Sequence, residues 1–210
     1  MPVQIRNLSK AFGEKQVLCH FSMVLEDHER YCLMGPSGAG KTTLLRLLMG
    51  LERPDGGQIT GLPEDGVCAM FQEDRLLPSL SALQNVALVC PKSLSRQALR
   101  EDLSAMLPQD CLQLPIAQLS GGMKRRVALA RALHYSGSLV LLDEPFTGLD
   151  EESKRAAAGY IRGHLAGRTL VVSTHGQEDA CLLGAQVIHI NFSASSDRSA
   201  APADRTSPDK

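Results

Sequence analysis

One stretch limits what this chain can become: Gly35-Pro36-Ser37-Gly38-Ala39-Gly40-Lys41-Thr42. Tyr31-Cys32-Leu33-Met34 before it is a short apolar run, and reads as a buried strand. Thr43-Leu44-Leu45-Arg46-Leu47-Leu48-Met49 after it is rich in helix formers, with Gly50 as a stop signal. Strand, glycine-rich turn and helix is the context in which a G-x-x-x-x-G-K-[S/T] pattern has chemical meaning. The glycines let backbone N–H groups crowd around a polyphosphate, and the helix N-terminus adds partial positive charge. On this reading Gly35, Pro36, Ser37, Gly38, Ala39, Gly40, Lys41, Thr42 and Thr43 surround the phosphates of a nucleotide. Lys41 reaches the β- and γ-phosphates, and the Thr42 hydroxyl sits on Mg²⁺.

The remaining chain is read against that anchor. Its 210 residues are enough for one domain with a small insertion and a sizeable core. A net charge of −1 gives no electrostatic grip on nucleic acid or anionic lipid. No apolar run approaches a membrane span, and the first residues lack the layout of a signal peptide. Cys19, Cys32, Cys68, Cys90, Cys111 and Cys181 are scattered without a C-x-x-C pair. They are expected to be small buried hydrophobes in a reducing compartment, which predicts a cytosolic setting.

Residues 1–30 read as short strands, with Phe21, Met23 and Leu25 alternating and a turn over Ala11–Lys15. Gln58–Thr60 reads as a short strand, and Val67–Phe71 as a buried one that ends in Gln72-Glu73-Asp74. Helix-compatible segments near 81–89, 95–106 and 122–134 then replace strands, which predicts a helical subdomain at about 79–134 inserted between sheet elements. The sheet resumes over Ser138–Glu144. A helix near 151–166, a strand Thr169–Ser173, a short helix after His175 and a last strand Ala185–Ile190 follow. From Asn191 the chain is Ser, Ala, Asp, Arg and Pro, so 191–210 is expected to be a disordered tail.

Three further stretches carry chemistry. Leu139-Val140-Leu141-Leu142-Asp143-Glu144 is an apolar run ending in paired carboxylates. Asp143 is placed to orient Mg²⁺ or its waters, and Glu144 to polarise an attacking water. Leu119-Ser120-Gly121-Gly122-Met123 opens a helix with Ser120 as N-cap; its Lys124, Arg125, Arg126 and Arg131 read as a solvated basic face. His175 stands alone at a strand end.

The order of these pieces resembles the ATP-binding cassette of ABC transporters, and the resemblance covers residues 3 to about 190. It implies an α/β fold of the P-loop NTPase type, with a mixed sheet core, an N-terminal antiparallel β subdomain and the helical insertion, making an ATP-binding domain of residues 1–190. Phe12 would stack on adenine. Gln72 would contact Mg²⁺ or the attacking water, so that Thr42, Gln72 and Asp143 serve the metal. Glu144 would be the base, His175 would touch the γ-phosphate, and Lys41 would stabilise charge. Ser120 and Gly122 would close over ATP held by a second copy, with Asp150 at the seam. The resemblance implies an ATPase bound to the cytoplasmic face of the membrane, soluble when isolated. It would energise a transmembrane permease, form a nucleotide-driven homodimer and share its system with a solute-binding protein. Phe71–Pro78 looks like the branch serving nitrate, sulfonate, taurine and thiamine-precursor importers. Met123 departs from the glutamine that usually ends the signature, Thr147-Gly148-Leu149-Asp150 from the commoner Ser-Ala-Leu-Asp, and the Lys41–Gln72 segment is short. A second reading, an ABC-type switch in translation or DNA repair, predicts co-purification with ribosomes or DNA instead of membranes.

Overall fold

The computed structural model describes residues 2–190; the expectation of a disordered tail falls on 191–210, outside them. Two sheets form. In the first, β1 (Val3–Phe12), β2 (Lys15–Leu25) and β4 (Gly56–Thr60) pair antiparallel in the order β2-β1-β4. The second is parallel throughout, in the order β5 (Val67–Met70), β6 (Leu139–Asp143), β7 (Thr169–Ser173), β3 (Arg30–Met34), β8 (Gln186–His189). The mixed character expected of the core is thus divided between two sheets.

Six helices complete the described residues: α1 (Lys41–Leu48), α2 (Ala82–Ala87), α3 (Arg96–Leu103), α4 (Gly121–His134), α5 (Glu151–Leu165) and α6 (Gln177–Leu183), with short 3₁₀ turns at Gln109–Gln113 and Ile116–Gln118. Everything between β5 and β6 is helical or looped, apart from one bridge between Ser81 and Pro115.

Alternation along the parallel strands explains the layering. Tyr31, Leu33, Leu139, Leu141 and Val171 join one core with α1 and the antiparallel sheet. Cys32, Val140, Leu142, Leu170 and Val172 join the other, with the remaining helices. Successive side chains on a strand point to opposite faces, so a sheet covered on both sides needs continuous apolar runs. At roughly 25 cal/mol per Å² of apolar surface, each fully buried Leu or Val contributes about 1.5–3 kcal/mol.

Three expectations need correction. Ala11–Lys15 is not a turn: β1 runs through Phe12, β2 starts at Lys15, and Gly13-Glu14 alone make the hairpin turn, with Gly13 at φ 59°. The basic residues of α4 are not a solvated face; Arg125 is buried and its neighbours are half-buried. Among the cysteines only Cys32 and Cys68 are buried, while Cys19 and Cys181 are exposed. Burial pushes the Cys32 thiol up to about 12, so it stays an inert packing group.

Candidate active site

The carboxyl ends of β3, β5, β6 and β7 meet at one edge of the parallel sheet, where open α/β sheets bind ligands. From β3 the chain passes through the glycine loop into α1. The loop packs tightly: a methyl on Gly35 would stand 2.4 Å from the Ile190 carbonyl oxygen. Gly40, at φ 101°, leads into α1 with no side-chain cap, and no acidic residue lies in the first turn. By contrast α2, α3, α4 and α5 are each capped by a side chain, from Ser81, Ser95, Ser120 and Asp150, and α6, which has no such cap, carries Glu178 and Asp179 in its first turn. The α1 N–H groups are therefore left to an anion.

Lys41 is 5% exposed, and its Nζ donates to the carbonyl oxygens of Gly35 (2.7 Å) and Pro36 (3.1 Å). Burial lowers its pKa, opposed by the negative charges of Glu144 and Asp143. A buried ammonium held only by loop carbonyls fits a site built for added negative charge. A cavity of about 310 Å³ beside it is lined by Phe12, Ser37, Gly38, Gly40, Lys41, Thr42, Thr43, Gln72 and Glu144. Phe12, half exposed at the end of β1, has Lys10 Nζ 5.3 Å from its ring centre. A neighbouring cleft brings Thr42, Gln72 and Asp143 together. Hydroxyl, amide and carboxylate oxygens are the donors that a hard cation such as Mg²⁺ takes.

Glu144 follows β6 in a left-handed conformation, φ 52°, uncommon for a residue with a side chain. Bonds to its N–H and carbonyl hold it there. Its N–H is shared by the Ser173 hydroxyl (2.9 Å) and carbonyl (3.2 Å), and its carbonyl accepts from Arg125 Nη2 at 2.7 Å. Its carboxylate Oε1 lies 2.8 Å from His175 Nε2. Asp143 is buried and accepts from the Ser173 hydroxyl at 2.5 Å.

Sequence reasoning missed two groups. Ser173 ties the two acidic residues together; the only sign was a small polar residue ending an apolar strand. Arg125 donates to the carbonyls of Phe71 (3.0 Å), Gln72 (2.8 Å), Asp143 (2.6 Å) and Glu144 (2.7 Å), and pairs with Asp74 (3.0 Å). One guanidinium thus fixes the ends of β5 and β6. Buried Asn85 accepts from the Leu77 N–H and donates to the carbonyls of Leu77, Leu80 and Ser81, shaping the loop beyond Gln72.

The signature residues sit apart from the loop cavity. Ser120 caps α4, its hydroxyl accepting from the Met123 N–H at 3.3 Å. Gly121 and Gly122 line a second cleft, of about 480 Å³, with Gln72, Glu144 and Gly148. Asp150 caps α5, accepting from the Ser153 N–H at 2.8 Å. A further hollow of about 450 Å³, lined in part by Val3, His28, Leu139 and Thr169, opens at the opposite end of the strands and gathers no phosphate-binding loop.

An uncapped helix behind a glycine loop, a buried lysine and strand-end carboxylates define a nucleotide-binding α/β protein of the phosphate-loop class. The ABC transporter family matches residues 18–147, and the chain belongs to that family. It is 38% identical over 192 residues to an aliphatic sulfonates import ATP-binding protein of Rhodococcus jostii, covering 90% of this chain and 70% of the relative. A Nod factor export ATP-binding protein of Burkholderia orbicola is 36% identical over 195 residues, covering 85% and 64%. A sulfate/thiosulfate import ATP-binding protein of Bradyrhizobium diazoefficiens is 33% identical over 208 residues, covering 90% and 60%. The chain thus spans less than two thirds of the length of these last two relatives. Among solved structures, a dimeric ATP-binding cassette in a post-hydrolysis state bound to ADP and Pi superposes with a TM-score of 0.77 at 27% identity, covering 90% of this chain and 94% of that one.

Proposed function

We propose that the chain is the ATP-hydrolysing subunit of a membrane transport system. The observation that carries this reading is the convergence of an uncapped α1, buried Lys41 and Glu144, itself paired with His175, on one cavity. Lys41 and the loop N–H groups bind the phosphates, and Phe12 supports the base. Glu144 accepts a proton from the attacking water while His175 orients its carboxylate and faces the γ-phosphate. Thr42, Gln72 and Asp143 hold Mg²⁺, which neutralises phosphate charge when bound. Catalysis is then positioning and charge stabilisation, with no covalent intermediate on the protein.

Ser120 and Gly122 are assigned to the ATP of a second copy, since neither lines the loop cavity of their own chain, and Gly122 lines a neighbouring cleft. The dimeric cassette of similar fold supports that assembly. No helix among the described residues is long and apolar enough to cross a membrane; the transport path is assigned to a separate permease, an assignment the import ATP-binding relatives support. The named roles of the sulfonate and sulfate relatives support import of a small anion; a solute-binding protein in the same system is part of this proposal.

Glu144→Gln tests the base. It should bind ATP, lose about 10²–10⁴-fold in turnover and shift to a dimer with ATP in sedimentation. Near wild-type hydrolysis would remove Glu144 from the role. Chelating Mg²⁺ should abolish turnover, and turnover that persists in EDTA would refute the metal assignment. Affinity capture from solubilised membranes should recover a polytopic protein; recovery of soluble partners alone would end the permease reading.

A further inference from the structure

Away from the nucleotide cavity, three helix ends meet around three side chains. Asp102 lies in the last turn of α3, His134 is the last residue of α4, and His164 lies in the last turn of α5. Asp102 Oδ1 is 3.0 Å from His164 Nε2, and Oδ2 is 3.4 Å from His134 Nε2. One ligand atom from each residue falls within 4.8 Å of the others.

The tautomers follow from the backbone. His134 Nδ1 lies 3.0 Å from the Ala130 carbonyl oxygen, and His164 Nδ1 lies 2.9 Å from that of Tyr160. A carbonyl only accepts, so both Nδ1 atoms carry the proton. In neutral imidazoles both Nε2 lone pairs then point at a carboxylate, and acceptors facing acceptors require a positive charge between them. We propose that Asp102, His134 and His164 form a binding site for Zn²⁺ or a similar late first-row divalent ion, with water in the fourth position.

Four observations support a single ion there. Tetrahedral Zn²⁺ with bonds of about 2.0–2.1 Å separates its ligands by about 3.3 Å; the two histidines stand 3.0 and 3.4 Å from the two oxygens of one carboxylate, and one ligand atom from each residue lies within 4.8 Å of the others. Metal-ligating histidines characteristically donate their other N–H to a carbonyl, as both do here. The Tyr160 hydroxyl donates to Asp102 Oδ2, and the Tyr160 ring stacks on His164 with centroids 3.9 Å apart, fixing carboxylate and imidazole. Burial, together with Asp102, raises the Tyr160 pKa, so the phenol stays a donor and is not itself a ligand. Finally, the negative ends of three helix dipoles converge on the cluster and favour a cation. Asp102 and His164 are about a third and a quarter exposed, which gives the ion and its water a path in. None of these residues belongs to the nucleotide site, so the two readings stand or fall separately.

The test is a Co²⁺ and Zn²⁺ titration of the metal-stripped, nucleotide-free full chain. Co²⁺ should give a tetrahedral visible spectrum without a thiolate charge-transfer band, at one ion per chain, and Zn²⁺ should displace it. His164→Gln and Asp102→Asn should each weaken binding about 10–100-fold, and exposed His20→Gln should not. Independently of any variant, Zn²⁺ at a hundredfold excess over its Kd should raise the wild-type Tm by about 5–10 °C, and Mg²⁺ should not. No saturable binding, or binding that survives both substitutions, would overturn the site.

Discussion

Arg125 concentrates more structural consequence than any other side chain at the nucleotide edge. Its guanidinium satisfies four carbonyls and one carboxylate while almost wholly buried. Arg125→Met keeps the apolar stem and removes every donor, leaving Asp74 and the four carbonyls without their partner. The expected cost is about 3–5 kcal/mol, read as a lower urea midpoint, with turnover falling further than ATP affinity. A variant as stable as wild type would mean that water replaces the guanidinium. Glu144 depends on this support, because its positive φ is a conformation of order 1–3 kcal/mol above the alternatives. Sequence placed Glu144 correctly at a strand end, yet its twisted backbone and the Ser173 bond were invisible. They arise from β6 and β7 pairing, which no local pattern encodes.

Among the elements, helix ends divide by purpose. The Ser81–Gln84 capping box closes α2, so Ser81→Ala should cost about 1 kcal/mol in thermal or urea unfolding without touching ATP binding. At α1 the end without a side-chain cap opens onto the nucleotide cavity. Gly40→Ala would force a side chain to φ 101° and set its Cβ 3.0 Å from the Val17 carbonyl oxygen, so ATP affinity should fall along with stability, by about 1–2 kcal/mol for the latter. Asp150 gives a pH signature. The Ser153 N–H holds its carboxyl below the usual carboxylate range. A depressed carboxylate adds stability above its unfolded pKa of about 4, and that stability is lost as pH falls through the folded value. Asp150→Asn should therefore flatten the acid-induced fall in Tm while keeping the cap; an unchanged pH profile would refute the assignment. Elements themselves were legible: β7 lies at Thr169–Ser173 as read, and α5 ends one residue early. Apolar runs and glycine punctuation carry that information locally. The role of the α4 arginines was not legible, since burial of a charged side chain depends on which carbonyls the tertiary fold brings near.

At the scale of the molecule, strand order is the feature with the longest reach. The strand carrying the phosphate loop, β3, lies between β7 and β8, the last two strands among the described residues. Gly35 is packed against Ile190, at the limit of the described residues. During synthesis at about 5–20 residues per second, roughly ten to thirty seconds separate the making of β3 from that of β8. Through that interval the glycine loop exists as sequence without walls. Nascent chains stalled before residue 169 should therefore fail to retain on ATP-agarose, and retention by such a fragment would show that the loop folds without its neighbours. On this account the newly made subunit stays blind to ATP until the strands on either side of its phosphate loop have been made.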